Sequence, residues 1–292
     1  MTRSAPALVS VVVPVRDEEE HIAEQLGALA AQTYDGDWEL VVADNGCRDR
    51  SMEIVAAHRH RLPSLTIAGA RSRRGINHAR NVGAERARGD LLAFCDADDV
   101  ATPGWLAALA RAAPGADLIA GALDFDTLNG TVERALYPWD PPRELAGRDE
   151  FLAYVPGGNC GVWADVARSV RWDESFRFGS SDIEFSWRAQ LAGFSMAFAP
   201  GAVIQQRFKP SLRALAGQFF AYGRSDPQLY RRFRAAGMPR PEHAHAIYGW
   251  RTLARRAPDL LGPLELQAPW VRSAARRAGR AVGSVRHRAL VL

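Results

Sequence analysis

Asp96, Asp98 and Asp99 follow directly on the apolar run Leu91-Leu92-Ala93-Phe94-Cys95, with Ala97 between the first two. Carboxylates emerging together from one strand end repel each other unless a cation lies between them. A hard divalent ion with oxygen ligands, and with positions left for phosphate oxygens, meets that need, as Mg²⁺ or Mn²⁺ does. A solvated turn in which Asp99 caps the next helix accounts for one acid and does not require all three. Two more loops place polar groups behind apolar runs: Arg16-Asp17-Glu18 after Pro14-Val15, and Asp44-Asn45-Gly46 after Leu40-Val41-Val42-Ala43.

The runs behind these loops are short, β-branched and apolar at successive positions, which predicts central strands buried on both faces. Glu18-Glu19-Glu20 then favours a helix N-terminus, and Ile22, Leu26 and Leu29 keep helical spacing. Residues 51–60 and 76–88 predict further helices, and 65–68 and 118–120 further strands. Thr102-Pro103 predicts a cap and a first helical proline for a helix through Ala112. Such alternation implies an α/β fold, a doubly wound, mostly parallel sheet with helices on both faces, whose ligands bind at the carboxyl ends of the strands. No glycine follows the first strand, and no Gly-Lys-Ser/Thr loop occurs. Dinucleotide binding and P-loop phosphoryl transfer lose support accordingly.

The 292 residues are 47% hydrophobic and 24% charged, a globular composition that argues against a disordered or fibrous chain. There is no apolar leader and no run long enough to span a bilayer, so the expected location is cytoplasmic, with a peripheral place at the inner face of the membrane as an option. Cys47, Cys95 and Cys160 are too scattered for a disulfide framework or zinc site and read as core residues. Residues 201–292 hold 17 basic and 4 acidic side chains, against 20 and 29 in residues 1–200. A basic tail on an acidic body fits an anionic membrane surface or nucleic acid; the second is not expected, because no recognised binding module accompanies the charge. Only one of the 37 basic residues is a lysine, Lys209, so any single arginine carries little evidence of anion recognition.

Four motifs in order, Val11-Val12-Val13-Pro14-Val15-Arg16-Asp17-Glu18, Val41-Val42-Ala43-Asp44-Asn45-Gly46, Arg74-Gly75-Ile76-Asn77-His78-Ala79-Arg80-Asn81 and Phe94-Cys95-Asp96-Ala97-Asp98-Asp99, resemble family 2 glycosyltransferases of the GT-A fold. Gly157-Gly158-Asn159, Trp172-Asp173-Glu174-Ser175-Phe176 and Ser180-Ser181-Asp182-Ile183-Glu184 extend the resemblance into an acceptor half. It implies a GT-A-like catalytic domain over residues 1–205, with a nucleotide-sugar half to about 120 and an acceptor half from 121, followed by a helical basic extension over 206–292.

The implied activity is inverting sugar transfer from a nucleotide-diphosphate donor to a carbohydrate, lipid-linked or small-molecule acceptor, with Mn²⁺ or Mg²⁺. By the same resemblance Pro14, Val15, Arg16 and Glu18 line the nucleotide pocket and Asp44 accepts from the base. Arg74, Gly75, Arg80 and Asn81 close over the nucleotide or orient Asp96. Asp96 and Ala97 face the ribose, Asp98 with Asp96 holds the metal, and Asp182 is the general base beside acceptor-side Gly158, Asn159 and Ser181. Two departures stand out: Ser181 replaces a common glutamate, and Gln205 or Gln206 stands where relatives often place a metal-binding histidine. Rival readings are a noncatalytic nucleotide-sugar or glycan-binding protein with a decayed site, and a nucleotidyltransferase, which would need a glycine-rich loop after its first strand.

Trp139, Tyr154, Trp163, Trp172 and Trp187 are candidates for stacking on sugars or, equally, for the core. Asn129-Gly130 predicts a hairpin between strands over 123–127 and 132–136. Leu212, Leu215, Phe219 and Phe220 predict a helix broken at Gly223-Arg224-Ser225-Asp226-Pro227, before a second one with Leu229, Tyr230 and Phe233. These helices suit a membrane surface or a cap packed on the body. His243 and His245 are a weak metal-ligand pair in a loop, and residues 270–292 read as a terminal amphipathic helix.

Overall fold

The computed structural model describes residues 3–148, 151–239 and 243–291. The first half runs β1 (Leu8–Val15), α1 (Ile22–Ala30), β2 (Asp37–Asp44), α2 (Ser51–Ala57), β3 (Leu65–Gly69), α3 (Ile76–Arg86), β4 (Leu91–Cys95), β5 (Val100–Ala101), α4 (Trp105–Ala112) and β6 (Leu118–Asp124). There follow α5 (Thr131–Leu136), β7 (Ala146–Arg148), β8 (Leu152–Tyr154), β9 (Asn159–Trp163), α6 (Ala164–Val170), α7 (Ser181–Leu191) and β10 (Met196–Gln205). The tail contributes α8 (Leu212–Phe233), α9 (His243–Arg255) and α10 (Leu264–His287).

Eight strands form one sheet in the order β3-β2-β1-β4-β9-β6-β10-β5. The pairs β1–β2, β1–β4, β2–β3 and β6–β10 are parallel, whereas β9 runs antiparallel to both β4 and β6. β1 is internal, as its valines require: Val9, Val11, Val12 and Val13 are fully buried, and only helices on both sides of the sheet can cover such a strand. Order β3-β2-β1-β4 brings the exits of β1, β2 and β4 to one edge. Antiparallel β9 delivers the opposite end of its strand there, so Gly157 and Gly158, which precede it, arrive beside Asp96.

Asn159 joins three strands from the inside. Its Nδ2 donates to the Ala122 and Ala202 carbonyls at 2.6 and 3.0 Å, and its Oδ1 accepts from the Trp105 indole at 2.8 Å. A fully buried carboxamide is tolerated because its donors and acceptor are used.

Several expectations need correcting. Asn129-Gly130 makes no hairpin. Gly130 opens α5 with its N–H donated to Glu133 at 3.0 Å, and the Asn129 side chain binds the Phe125 and Gln206 carbonyls and the Phe208 N–H. The glutamate three residues on was the competing helix-start signal. The tail helix does not break before Pro227: α8 is continuous, because packing along α10 outweighs the hydrogen bond lost at the proline. α4 starts at Trp105, since the Thr102 hydroxyl donates to the Val203 carbonyl of β10 at 3.0 Å instead of capping. The last helix begins at Leu264 and ends at His287. His243 and His245 open α9, and their side chains lie outside the described residues.

α8 and α10 pack at backbone distance. A Cβ on Gly223 would stand 2.0 Å from the Arg276 carbonyl oxygen, one on Gly279 2.2 Å from that of Phe220, and one on Gly283 2.5 Å from that of Arg224. Buried Asp226 on α8 takes Arg276 and Arg280 of α10 at 3.0 and 2.7 Å. Two smaller cores join tail to body. Phe125, Leu136 and Tyr137 pack with Phe208, Leu215 and Ala268, and Phe176, Ile183 and Trp187 pack with Leu229, Phe233 and Met238.

Candidate active site

The exits of β1, β2 and β4 open on a cavity of about 550 Å³. Its walls are Pro14, Val15, Arg16 and Glu18 from β1 and its exit, Asn45 after β2, Arg74, Gly75, Ile76 and Ala79 at the start of α3, and Asp96, Ala97 and Asp98 after β4. Arg177 and Phe178, from the loop before α7, close the far side. This is the size and polarity of a small-molecule site.

The other expected residues stand behind this wall. Both Asp44 oxygens are taken, Oδ1 by the Gly46 and Cys47 N–H groups at 2.9 Å and Oδ2 by Arg71 at 2.6 Å. Burial alone would raise its pKa, but those donors outweigh it and hold the carboxylate below its ordinary value. Asn45, its neighbour in sequence, shapes the cavity. Its Nδ2 binds the Ala70 and Arg73 carbonyls and its Oδ1 accepts from the Gly75 N–H at 2.8 Å, so the 70–75 loop folds over the opening. Gly75 has φ +146°, a backbone state that L side chains rarely adopt.

Arg80 is buried, stacks on Trp172 at 4.7 Å and donates to Asp96 Oδ1 at 3.0 Å. A Cβ on Gly157 would come 2.8 Å from that guanidinium, and one on Gly158 2.5 Å from Asp96 Oδ2. The two glycines thus leave room for the Arg80–Asp96 pair. Asn81 is spent on the backbone N–H and carbonyl of Trp172 and on Glu174. Glu174 also binds Arg73 at 2.9 Å and His78 at 3.1 Å, which ties α3 to the loop carrying Arg177 and Phe178.

Negative charge accumulates at the cavity floor. Burial pushes the Glu18 carboxyl up to about 7, with Asp98, Asp96 and Asp49 adding to the rise and Lys209 opposing it. Burial also raises Asp96; Arg80 opposes, and Asp98 and Asp182 add to it. Asp99, buried, is raised by desolvation and then by Asp98 and Asp96; its Oδ1 accepts the Arg207 N–H at 2.8 Å, so it anchors the exit of β10. Lys209 Nζ lies 3.2 Å from Asp98 Oδ2. Burial lowers the lysine pKa, but Asp98, Glu18 and Asp99 outweigh that and raise it.

Asp96 and Asp98 offer the oxygen ligands that a hard divalent cation takes, and each already has a cationic partner, Arg80 for Asp96 and Lys209 for Asp98. Among the described residues no group of three or more His, Cys, Asp or Glu could hold a metal, so an ion here would complete its shell with ligand oxygens. Gln205 and Gln206 stand on the same exit from β10 as Lys209, and it is Lys209 that reaches Asp98.

Asp182 sits in the first turn of α7, half-buried, with Oδ1 accepting the Ile183 N–H at 2.9 Å. It does not line the cavity, yet lies close enough for its charge to act on Asp96. Ser181 is buried beside it. Gly158 lies against Asp96, whereas Asn159, expected on the acceptor side, is an internal joint with no exposed surface. Trp163, Trp172 and Trp187 are core residues, while Trp139 stays 40% exposed under Arg272. Asn45, Ile76, Ala79, Arg177, Phe178 and Lys209 were not assigned to the site from the sequence. Asn45 stood between Asp44 and Gly46, Ile76 and Ala79 stood inside the Arg74–Asn81 motif, and Lys209 stood out as the one lysine, but none of these signals gave a role.

The sheet is GT-A-like, with a cavity of about 550 Å³ and two aspartates at its strand ends. The sequence matches the family "Glycosyl transferase family 2" over residues 10–167, more than half of the chain, and the protein belongs to that family and is a glycosyltransferase. It is 29% identical to "Glycosyltransferase AglE" of Haloferax volcanii over 222 residues, 75% of this chain and 73% of that protein. It is 33% identical over 226 residues to "Validoxylamine A glucosyltransferase" of Streptomyces hygroscopicus subsp. limoneus, which covers 65% of this chain and 49%, about half, of that one. Among solved structures, the mannosyltransferase PcManGT of Pyrobaculum calidifontis, in complex with GDP-Man and Mn²⁺, superposes with a TM-score of 0.63 at 19% identity, covering 97% of this chain and 87% of its own. At that identity the likeness is one of fold.

Proposed function

We propose that this glycosyltransferase moves a sugar from a nucleoside-diphosphate donor to an acceptor hydroxyl by a single inverting displacement assisted by a divalent cation. The observation that carries the proposal is the cavity in which Arg16, Arg74 and Arg177 meet Asp96 and Asp98. The nucleotide lies against Pro14, Val15, Arg16, Glu18 and Asn45, under Arg74 and Gly75. Arg80 and Asn81 hold the wall from behind, and Asp96 with Ala97 takes the ribose edge. A divalent ion held by Asp98 and Asp96 supplies charge neutralisation to the leaving diphosphate when bound. Asp182 takes the proton of the acceptor hydroxyl as its oxygen bonds to the anomeric carbon and the bond to the diphosphate breaks. Ser181 and Gly158 border the acceptor.

In this proposal residues 1–205 do the chemistry and 206–292 are the basic extension. The acceptor is a carbohydrate, lipid-linked or small-molecule hydroxyl. PcManGT was captured with a nucleotide sugar and Mn²⁺, which supports the donor class and the ion. Among the described residues no helix is long and apolar enough to cross a membrane. Exposed Tyr248, Trp250, Arg251 and Arg255 of α9 would meet an anionic lipid surface, and co-sedimentation with anionic vesicles at low salt checks this.

A panel of nucleotide sugars with and without Mn²⁺, read by melting temperature and then by product formation, tests the donor. At least one should stabilise the protein beyond the metal alone and be turned over. Asp98→Asn should fold normally and lose the metal-dependent part of nucleoside-diphosphate binding. A panel without any stabilising or reacting member would sink the proposal.

A further inference from the structure

A diphosphate entering this cavity approaches Glu18, Asp96 and Asp98, and a second anion against three carboxylates needs fixed positive charge nearby. Lys209 brings such a charge from outside the motifs that define the site. It is the only lysine among 37 basic residues, in a chain that uses arginine for every other cation. Its ammonium lies 3.2 Å from Oδ2 of Asp98, which lines the cavity, and 53% of its side-chain surface is exposed, so the pair is not sealed from solvent.

The stalk beneath it is rigid. Arg207, two residues back, donates its N–H to Asp99 and its Nε to the Asp98 carbonyl at 3.0 Å, and pairs with Glu24 at 2.6 Å. Phe208, one residue back, is buried, stacked on Tyr137 at 4.3 Å, with its N–H held by Asn129 at 2.8 Å. The exit of β10 is thereby held to the Asp98–Asp99 turn at two points, with Glu24, Asn129 and Tyr137 fixing it from other sides. An ammonium is a compact charge with three donors and can bind a carboxylate oxygen and a phosphate oxygen together, which a planar guanidinium does less readily at a single-oxygen contact.

We propose that Lys209 is a diphosphate-binding residue of the donor site, its ammonium engaging the phosphate oxygens from the Asp98 side and supplying protein-borne positive charge alongside that of a divalent ion. The inference rests on the nucleotide-sugar proposal above. It means that nucleoside-diphosphate binding keeps a component that survives removal of metal.

Calorimetry of UDP, GDP, dTDP and ADP in EDTA and in Mn²⁺, with wild type, Lys209→Met and Lys209→Arg, tests it. In EDTA the methionine variant should bind the preferred diphosphate about tenfold more weakly or worse, and arginine should recover part of the loss. The corresponding nucleoside, without phosphates, should bind wild type and Lys209→Met alike. In wild type, the same diphosphate should shield Lys209 from an amine-reactive acylating reagent, read by peptide mass spectrometry, while the nucleoside should not; this arm does not depend on a variant folding. Diphosphate binding that Lys209→Met retains in full, with acylation unaffected by the diphosphate, overturns the role of Lys209 alone. A wild type that binds no nucleoside diphosphate even with Mn²⁺ overturns this inference together with the donor proposal.

Discussion

Asp182 has two possible jobs that one substitution separates. As an acid in the first turn of α7 it is worth roughly 0.3–1 kcal/mol through the helix dipole; as a general base it is worth a factor of about 10²–10⁴ in rate. Asp182→Asn should lower turnover at least about a hundredfold while donor affinity and melting temperature stay near wild type. A variant that keeps most of its transfer rate at saturating donor removes Asp182 from the chemistry. Asp44 makes a different prediction. Its carboxyl is held below the ordinary value in the folded state, so its contribution is full above the unfolded pKa and is lost as pH falls through the folded one. Asp44→Asn should cost about 1.5–3 kcal/mol at neutral pH, with the gap from wild type closing as the buffer is taken below about pH 3.8. An unchanged gap at acid pH would mean that charge is not what Asp44 contributes. Asp96 and Asp98 were legible because a uniformly apolar strand ends on them. The structural use of Asp44 was not, since nothing local says that Arg71 and two backbone N–H groups consume both oxygens.

Alternation of apolar runs announced the parallel strands, and the same periodicity cannot say where a helix stops when tertiary contacts decide. Pro227 sits inside α8 because the glycine contact with α10 holds the helix through it, and Gly130 starts a helix because Glu133 reaches back to its N–H. Glycines on these elements are predicted to behave differently. Gly217 on α8 has nothing within 4 Å of an added Cβ, so Gly217→Ala should stabilise by about 0.5–1 kcal/mol. Gly279→Ala places a methyl against the Phe220 carbonyl oxygen and should destabilise by about 1–3 kcal/mol or more. Denaturant midpoints for the pair check both signs; equal midpoints would remove the close helix contact from the account.

For the whole molecule, two of the smaller cores draw residues from body and tail alike. A chain ending at residue 205 loses Phe208, Leu215 and Ala268 from one and Leu229, Phe233 and Met238 from the other. It should show no cooperative thermal transition, whereas the full chain should melt in one step. A truncated chain that melts cooperatively near the full-length temperature would show the tail to be an independent addition. Charge counting foresaw a basic tail and apolar spacing its helices, but which body residues it covers depends on contacts between segments about a hundred residues apart.

Arg224 of α8 stacks on Phe178 at 3.8 Å, and Phe178 is part of the wall of the cavity at the strand exits. The helix that α10 grips therefore also backs the cavity wall. A ligand that distinguishes two positions of α8, whatever surface it binds, distinguishes two shapes of the cavity and changes the affinity of whatever the cavity holds by some factor. Linkage is reciprocal, so a molecule bound in the cavity changes that ligand's affinity for the tail by the same factor.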